Sequence, residues 1–129
     1  MASSSDDEPR VVAIGQGRQD TVPGVALEWL ADASLMPGSE MTFGRAQYEP
    51  GASNPSHYHP NCHELLFVVE GQLEHTVGSR SISLSTGSLL HIPKGVAHHL
   101  QNTGNDRATL IVVFSTDARE TIWVNEKSA

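Results

Sequence analysis

Cysteine occurs once in these 129 residues, at position 62, so no disulfide can close within the chain. That fits a reducing compartment. Basic residues are also few. Eight Lys plus Arg stand against fifteen Asp plus Glu, a formal net charge of −7. Nucleic acids and anionic membranes both need a basic face, and no basic helix or helix-turn-helix pattern is present, so neither partner is expected. Long apolar runs are missing too. The longest, "TLIVVF" at 109–114, falls far short of the ~20 residues a membrane-spanning helix needs. The opening "MASSSDDEPR" has neither a basic segment nor an apolar core, so no secretory signal is read there. A cytoplasmic protein is the expectation.

What is present points to β-structure. Residues 1–10 read as a disordered acidic tail with nothing to bury, and one domain is expected over 11–125. Short segments rich in Val, Ile, Leu, Phe and Thr recur every ~8–12 residues between turn residues. They predict strands near 11–14, 25–30, 41–49, 63–70, 72–77, 81–84, 88–92, 96–102, 108–115 and 120–124. Breaks fall at Pro23–Gly24, Pro37–Ser39, Pro50–Pro55, Glu70–Gly71, Gly78–Ser79, Thr86–Gly87, Pro93–Gly95 and Gly104–Asp106. The stretch "ALEWLADASL" at 26–35 also fits one helical face through Leu27, Leu30 and Ala31. Alternation of Val25, Leu27 and Trp29 favours a strand there. So many short strands in one small domain imply a sandwich or closed barrel, which hides sheet edges.

The chain has seven histidines, and His57, His59, His63 and His75 fall within one short stretch. In "GASNPSHYHPNCHELLFVVEG", residues 51–71, His57 and His59 project to the same side if the backbone is extended. Pro55 and Pro60 favour extension at Asn54 and His59. With Glu64 following, two imidazoles and a carboxylate form a facial set suited to a divalent first-row metal. A second element, "GSLLHIPKGVAHHLQN" at 87–102, has Pro93 ending a strand and Gly95 permitting a turn before His98. A hairpin of this kind, set against the first element, can deliver a fourth ligand.

The first element reads G(x)5HxH(x)4E(x)6G and the second G(x)5PxG(x)2H(x)3N. Together they resemble the two characteristic motifs of the cupin superfamily, with all ten specified residues in place. The resemblance implies a small antiparallel jelly-roll β-barrel with a metal held by His57, His59, Glu64 and His98. The phrasing "NPSHYHP…E" and "PKGVAHHLQNTG" is similar to that of germins, in which the residue matching Asn54 lies beside the metal and contacts small carboxylate ligands. The chain departs from germins in lacking their disulfide pair and helical C-terminal extension. Gly44 also stands where oxalate-oxidising germins carry a second active-site Asn. Oxalate oxidation is therefore not implied, and a small single-domain cupin fits better.

Around this set, His63 and His99 are out of phase with the ligands and are read as pointing away. His91 either faces the cavity as a catalytic acid or base, or packs in the core or at an interface. His75 reads as a solvated strand residue. Tyr48 shares a strand face with Ala46 and Gly44, whose small size would leave room for a ligand. It is a candidate substrate-binding and catalytic phenol or, alternatively, a rim packing residue. Asn54 is a candidate substrate contact, Asn102 a backbone cap, Cys62 an inert thiol, and Trp29 and Trp123 core or interface aromatics. Manganese or iron in such a site supports oxidoreductase chemistry of the dioxygenase type. Zinc, nickel or manganese acting purely as a Lewis acid supports isomerase, lyase or cyclase chemistry. A non-catalytic small-molecule-binding barrel is the third expectation. The apolar terminal segments and the two tryptophans suggest a homodimer paired through N-terminal strands, as in small cupins.

Overall fold

The structure is a computed structural model that describes residues 8–124. Among them are eleven strands and no α-helix. The strands are β1 (Arg18–Val22), β2 (Val25–Ala31), β3 (Thr42–Tyr48), β4 (His57–Tyr58), β5 (Glu64–Glu70), β6 (Gln72–Val77), β7 (Arg80–Ser85), β8 (Leu89–Ile92), β9 (His98–Asn102), β10 (Ala108–Phe114) and β11 (Ile122–Trp123). They form two antiparallel sheets, ordered β1-β2-β3-β10-β5-β8 and β11-β4-β9-β6-β7. This is the all-β jelly-roll barrel that the motifs imply.

Strand alternation produces the interior. In β3 and β10 every second residue is buried, so Thr42, Gly44, Ala46 and Tyr48 face Ala108, Leu110, Val112 and Phe114 across one sheet's inner surface. Leu66, Val68, Leu73, Ile92 and Leu110 are buried almost completely. Each such side chain contributes ~1.5–3 kcal/mol by leaving water.

Gly71 is the one residue between β5 in the first sheet and β6 in the second. Its φ of 116° lies in the left-handed region, and a side chain there would stand 2.8 Å from Ala108. The glycine that closes the first motif is thus the corner where the chain changes sheets.

One strand expectation needs correction, while the strand expected over 25–30 is present as β2. Residues 11–14 form no strand, and Val11 and Ile14 stay exposed because nothing pairs with them. The first strand is instead β1, "RQDTV", an edge strand with every residue exposed. With no buried face it leaves no apolar alternation to detect. The segment 26–35 is β2 followed by a turn, with a register shift between Trp29 and Ala31. Trp29 lines the cavity in alternation with Val25 and Leu27, whereas Glu28 is buried on the opposite face, where its carboxylate accepts from the Gly15 and Gly17 N–H groups. Of the expected tail, residues 1–7 lie outside the described residues, as does residue 125. Arg10 reaches back to donate to the Pro37 carbonyl at 3.3 Å.

Candidate metal centre

Four side chains meet inside the barrel. His57 on β4 and His98 at the start of β9 are direct cross-strand partners in the second sheet, and His59 follows β4 by one residue. Glu64 opens β5 in the first sheet, so the cluster lies between the sheets. The Gly95 N–H donates to the His59 carbonyl at 2.9 Å, which ties the turn of the second motif to the first. All four residues are at least nine-tenths buried. Coordinating nitrogens of His57, His59 and His98 lie within 4.8 Å of one another. Glu64 Oε1 is 3.4 Å from His59 Nε2 and 3.1 Å from His98 Nε2.

The backbone selects the tautomers. His57 Nδ1 donates to the Pro55 carbonyl at 2.8 Å, His59 Nδ1 to the Glu120 carbonyl at 3.0 Å, and His98 Nδ1 to the Val96 carbonyl at 2.9 Å. A carbonyl only accepts, so each Nδ1 carries the hydrogen, and in the neutral ring Nε2 is left as a lone pair. His59 Nε2, His98 Nε2 and Glu64 Oε1 are buried with no hydrogen-bond partner among the described residues. Lone pairs and a carboxylate facing one another in a dry interior are unfavourable unless a cation lies between them. Backbone-oriented imidazoles of this kind are how proteins present ligands to a metal. The residues therefore fit a divalent metal.

Electrostatics support that reading. Burial alone would raise the Glu64 pKa, but His59 and His98 hold it down to about 2, so it stays an anion. Burial lowers His57 to about 4, with His98 and His59 pushing the same way. Burial also pulls His98 down, but the adjoining Glu64 carboxylate outweighs it and leaves its pKa above the ordinary value.

The site opens on a cavity of ≈ 380 Å³ lined by both sheets, by Asn54 and Pro55, and by Arg119, Thr121 and Trp123 from the segment after β10. Its wall is mostly aliphatic and aromatic.

A family model described as a cupin domain matches residues 44–114. The chain is a cupin.

Germin-like protein subfamily 2 member 1 of Arabidopsis thaliana is 34% identical over 94 residues, covering 67% of this cupin and 43% of the relative. Polyketide synthase CurC of Streptomyces cyaneus is 29% identical over 107 residues, covering 83% of this chain and 70% of that one. Among solved structures, oxalate oxidase in complex with the substrate analogue glycolate superposes with a TM-score of 0.81 at 22% identity, covering 96% of this chain and 68% of that one. At that identity the likeness is one of fold. The chain spans less than half the length of its germin-like relatives.

The structure brings His57, His59, Glu64 and His98 together, with Asn54 and Tyr48 on the same cavity wall. Asn54 is partly committed, because its Oδ1 accepts from the Leu100 N–H at 2.9 Å. Tyr48 is buried, and burial together with Glu64 raises its pKa. The phenol therefore stays protonated and can serve as a hydrogen-bond donor in the cavity. Asn102 is a backbone cap, donating to the Tyr48 and Asp106 carbonyls and accepting from the Gly104 N–H, each at 2.9 Å. Cys62 is buried, and burial raises its pKa.

Two histidines lie elsewhere than expected. His91 does not face the cavity. It is exposed on the outer sheet surface, with its Nε2 3.0 Å from His63 Nδ1, because inward Ile92 fixes the phase of β8. His75 is not solvated. It is 1% exposed, lines the cavity, and lies 5.6 Å from the His98 ring. Counting by twos from Leu73 would have placed it inside. Gly44 does not leave room for a ligand, since a Cβ there would meet the Trp29 indole at 2.6 Å. Trp29 is therefore core, whereas Trp123 is 63% exposed and packs at a tilt against His57, with ring centroids 5.2 Å apart. Arg119 at the cavity was missed altogether, since it belongs to neither motif and follows the last long strand.

Proposed function

We propose that this cupin is a metal-dependent enzyme acting on a small oxygen-rich molecule, with manganese or iron in an oxidoreductase of the dioxygenase type. The observation that carries the reading is the buried set of Nε2 lone pairs and one carboxylate, each imidazole pinned through Nδ1 to a backbone carbonyl. His57, His59, Glu64 and His98 would hold the ion, which would supply Lewis acidity or electron transfer to the substrate. The barrel contributes the rest. Its apolar wall excludes water from the reacting groups. Tyr48 offers a protonated phenol for an oxygen of the substrate, and the Asn54 amide nitrogen offers a second donor. Trp123, which lines the cavity, packs at a tilt against His57.

A redox-neutral isomerase, lyase or cyclase, with zinc, nickel or manganese in the same site, has one observation in its favour. The match to polyketide synthase CurC covers more of both chains than the germin-like matches do. Oxygen consumption in step with turnover of a candidate substrate supports the first reading. Turnover unchanged without oxygen refutes it and supports the second. Function intact in His57→Ala without bound metal would make the barrel a binding module.

A homodimer is also proposed, though not through Trp29. The outer face of β5 and β8 exposes Leu65, Phe67, Val69 and Leu89, each about 40% or more, an apolar surface suited to a second copy. Light scattering should give twice the 13.9 kDa chain mass; a monomer mass refutes it. A cytoplasmic setting is proposed from the lone, buried cysteine.

A further inference from the structure

We propose that Arg119 is the anion-recognition residue of this cavity and that the substrate is a mainly apolar carboxylate, larger than a two-carbon diacid. This rests on reading the cavity as the substrate pocket of the metal site.

Size and lining are the first argument. A volume of ≈ 380 Å³ walled by Val25, Leu27, Leu66, Leu110, Val112 and Phe114 suits a ring or short hydrocarbon body. A two-carbon diacid would leave most of that apolar wall uncovered.

Arg119 supplies the second argument. It is the only arginine or lysine among the described residues lining the cavity. Its guanidinium lies 4.0 Å over the Trp29 ring and 5.1 Å from Phe114. These cation–π contacts hold the guanidinium against the aromatic wall without using its N–H donors. Nε is buried without a hydrogen-bond partner, and Arg119 forms no ion pair with a described residue. Asp20 and Glu64 act on it only through space. A half-buried guanidinium held against aromatic rings, its Nε buried without a partner, lacks an acceptor at that edge, and its fork matches a carboxylate.

Placement is the third argument. The Phe114 ring that lies 5.1 Å from Arg119 also contacts the His59 ring at 5.0 Å. One aromatic wall therefore joins the cation to the imidazole cluster. A molecule whose carboxylate meets Arg119 would lay its body along that wall toward the candidate metal ligands.

The test compares phenylacetate, uncharged phenylacetamide and oxalate, by titration calorimetry and by the fluorescence of Trp29 and Trp123. It uses the full chain both chelator-treated and loaded with manganese. Chelator-treated protein should bind phenylacetate at least about tenfold tighter than the amide, and tighter than oxalate. Arg119→Met, which keeps an apolar body over Trp29, should abolish the preference and leave amide binding unchanged, whereas Arg119→Lys should keep part of it. Manganese content should match native protein in both variants. A folded Arg119→Met that keeps the preference overturns the proposal, as does native protein without any preference or one that favours oxalate. If Arg119→Met does not fold, a preference undiminished in Arg119→Lys overturns it. Failure of the protein to hold manganese or any other first-row divalent ion, with the carboxylate preference still lost in Arg119→Met, refutes the metal reading and leaves this one standing.

Discussion

Adding one methyl group at Gly44 should destabilise this cupin through Trp29. An alanine Cβ would lie 2.6 Å from Trp29 Cζ3, 2.7 Å from Cε3 and 3.2 Å from Val112 Cγ2. Comfortable carbon–carbon contacts are ~3.5–4.0 Å, so the indole would have to withdraw by about 1 Å. It has little freedom to do so. It is 3% exposed, packs on Phe114 at 6.1 Å and carries the Arg119 guanidinium at 4.0 Å. Overpacking of this kind costs ~1–3 kcal/mol, offset by up to ~1 kcal/mol from the stiffer unfolded chain. A net loss of ~1–2 kcal/mol lowers Tm by roughly 3–10 °C in a domain of this size. Thermal and urea unfolding followed by circular dichroism would measure it. The decisive form is a double-mutant cycle with Trp29→Phe, which removes the colliding benzo-ring atoms. At least half of the Gly44→Ala penalty should vanish in that background. A cost near zero, or the same cost in both backgrounds, refutes the packing argument. Gly44→Asn, which would introduce the side chain that oxalate-oxidising germins carry there, should be more destabilising still.

Two pH effects follow from other groups. Burial lowers His75 to about 4, from an ordinary 6.5, so the unfolded chain takes up this proton first as pH falls. Its contribution is complete above pH 6.5 and is lost on the way down to 4, by up to ~3 kcal/mol; urea midpoints of metal-free His75→Leu should fall less steeply than native over that range, and parallel curves would contradict this. Asp32 would be raised by burial, but Arg18 and the Leu35 and Ser34 N–H groups hold it at about 2 rather than 3.8. Its contribution is present above 3.8 and lost as pH falls toward 2. Asp32→Asn should therefore cost ~1 kcal/mol at neutral pH and progressively less below pH 4, and a pH-independent cost would contradict that.

Much of this was legible in the sequence because it depends on local rules. Extension around Pro55 and Pro60 places His57 and His59 on one side, and the turn at Gly95 returns the chain so that His98 lies across from His57. The first relation needs only strand alternation, whereas the pairing of His98 with His57 is a long-range register that the cupin motifs imply. The pocket wall needs long-range packing, and there the sequence was less informative. Whether Gly44 is open or filled depends on Trp29, its cross-strand partner on β2, whose indole covers it. His91 was misplaced because its phase is set by Ile92, and His75 because strand polarity was judged from its own chemistry instead of from Leu73. Arg119 carries no local signal at all. Its role depends on the segment after β10 folding back over Trp29 and Phe114.

The central claim is that His57, His59, Glu64 and His98 hold a metal. Elemental analysis of native protein purified without chelators, beside His57→Ala and Glu64→Gln, tests it directly. The account predicts about one first-row divalent ion per chain in native protein, manganese or iron foremost, with little or none in His57→Ala and less in Glu64→Gln. Folded native protein that holds no ion even after metal supplementation, or that holds as much in His57→Ala, would contradict it.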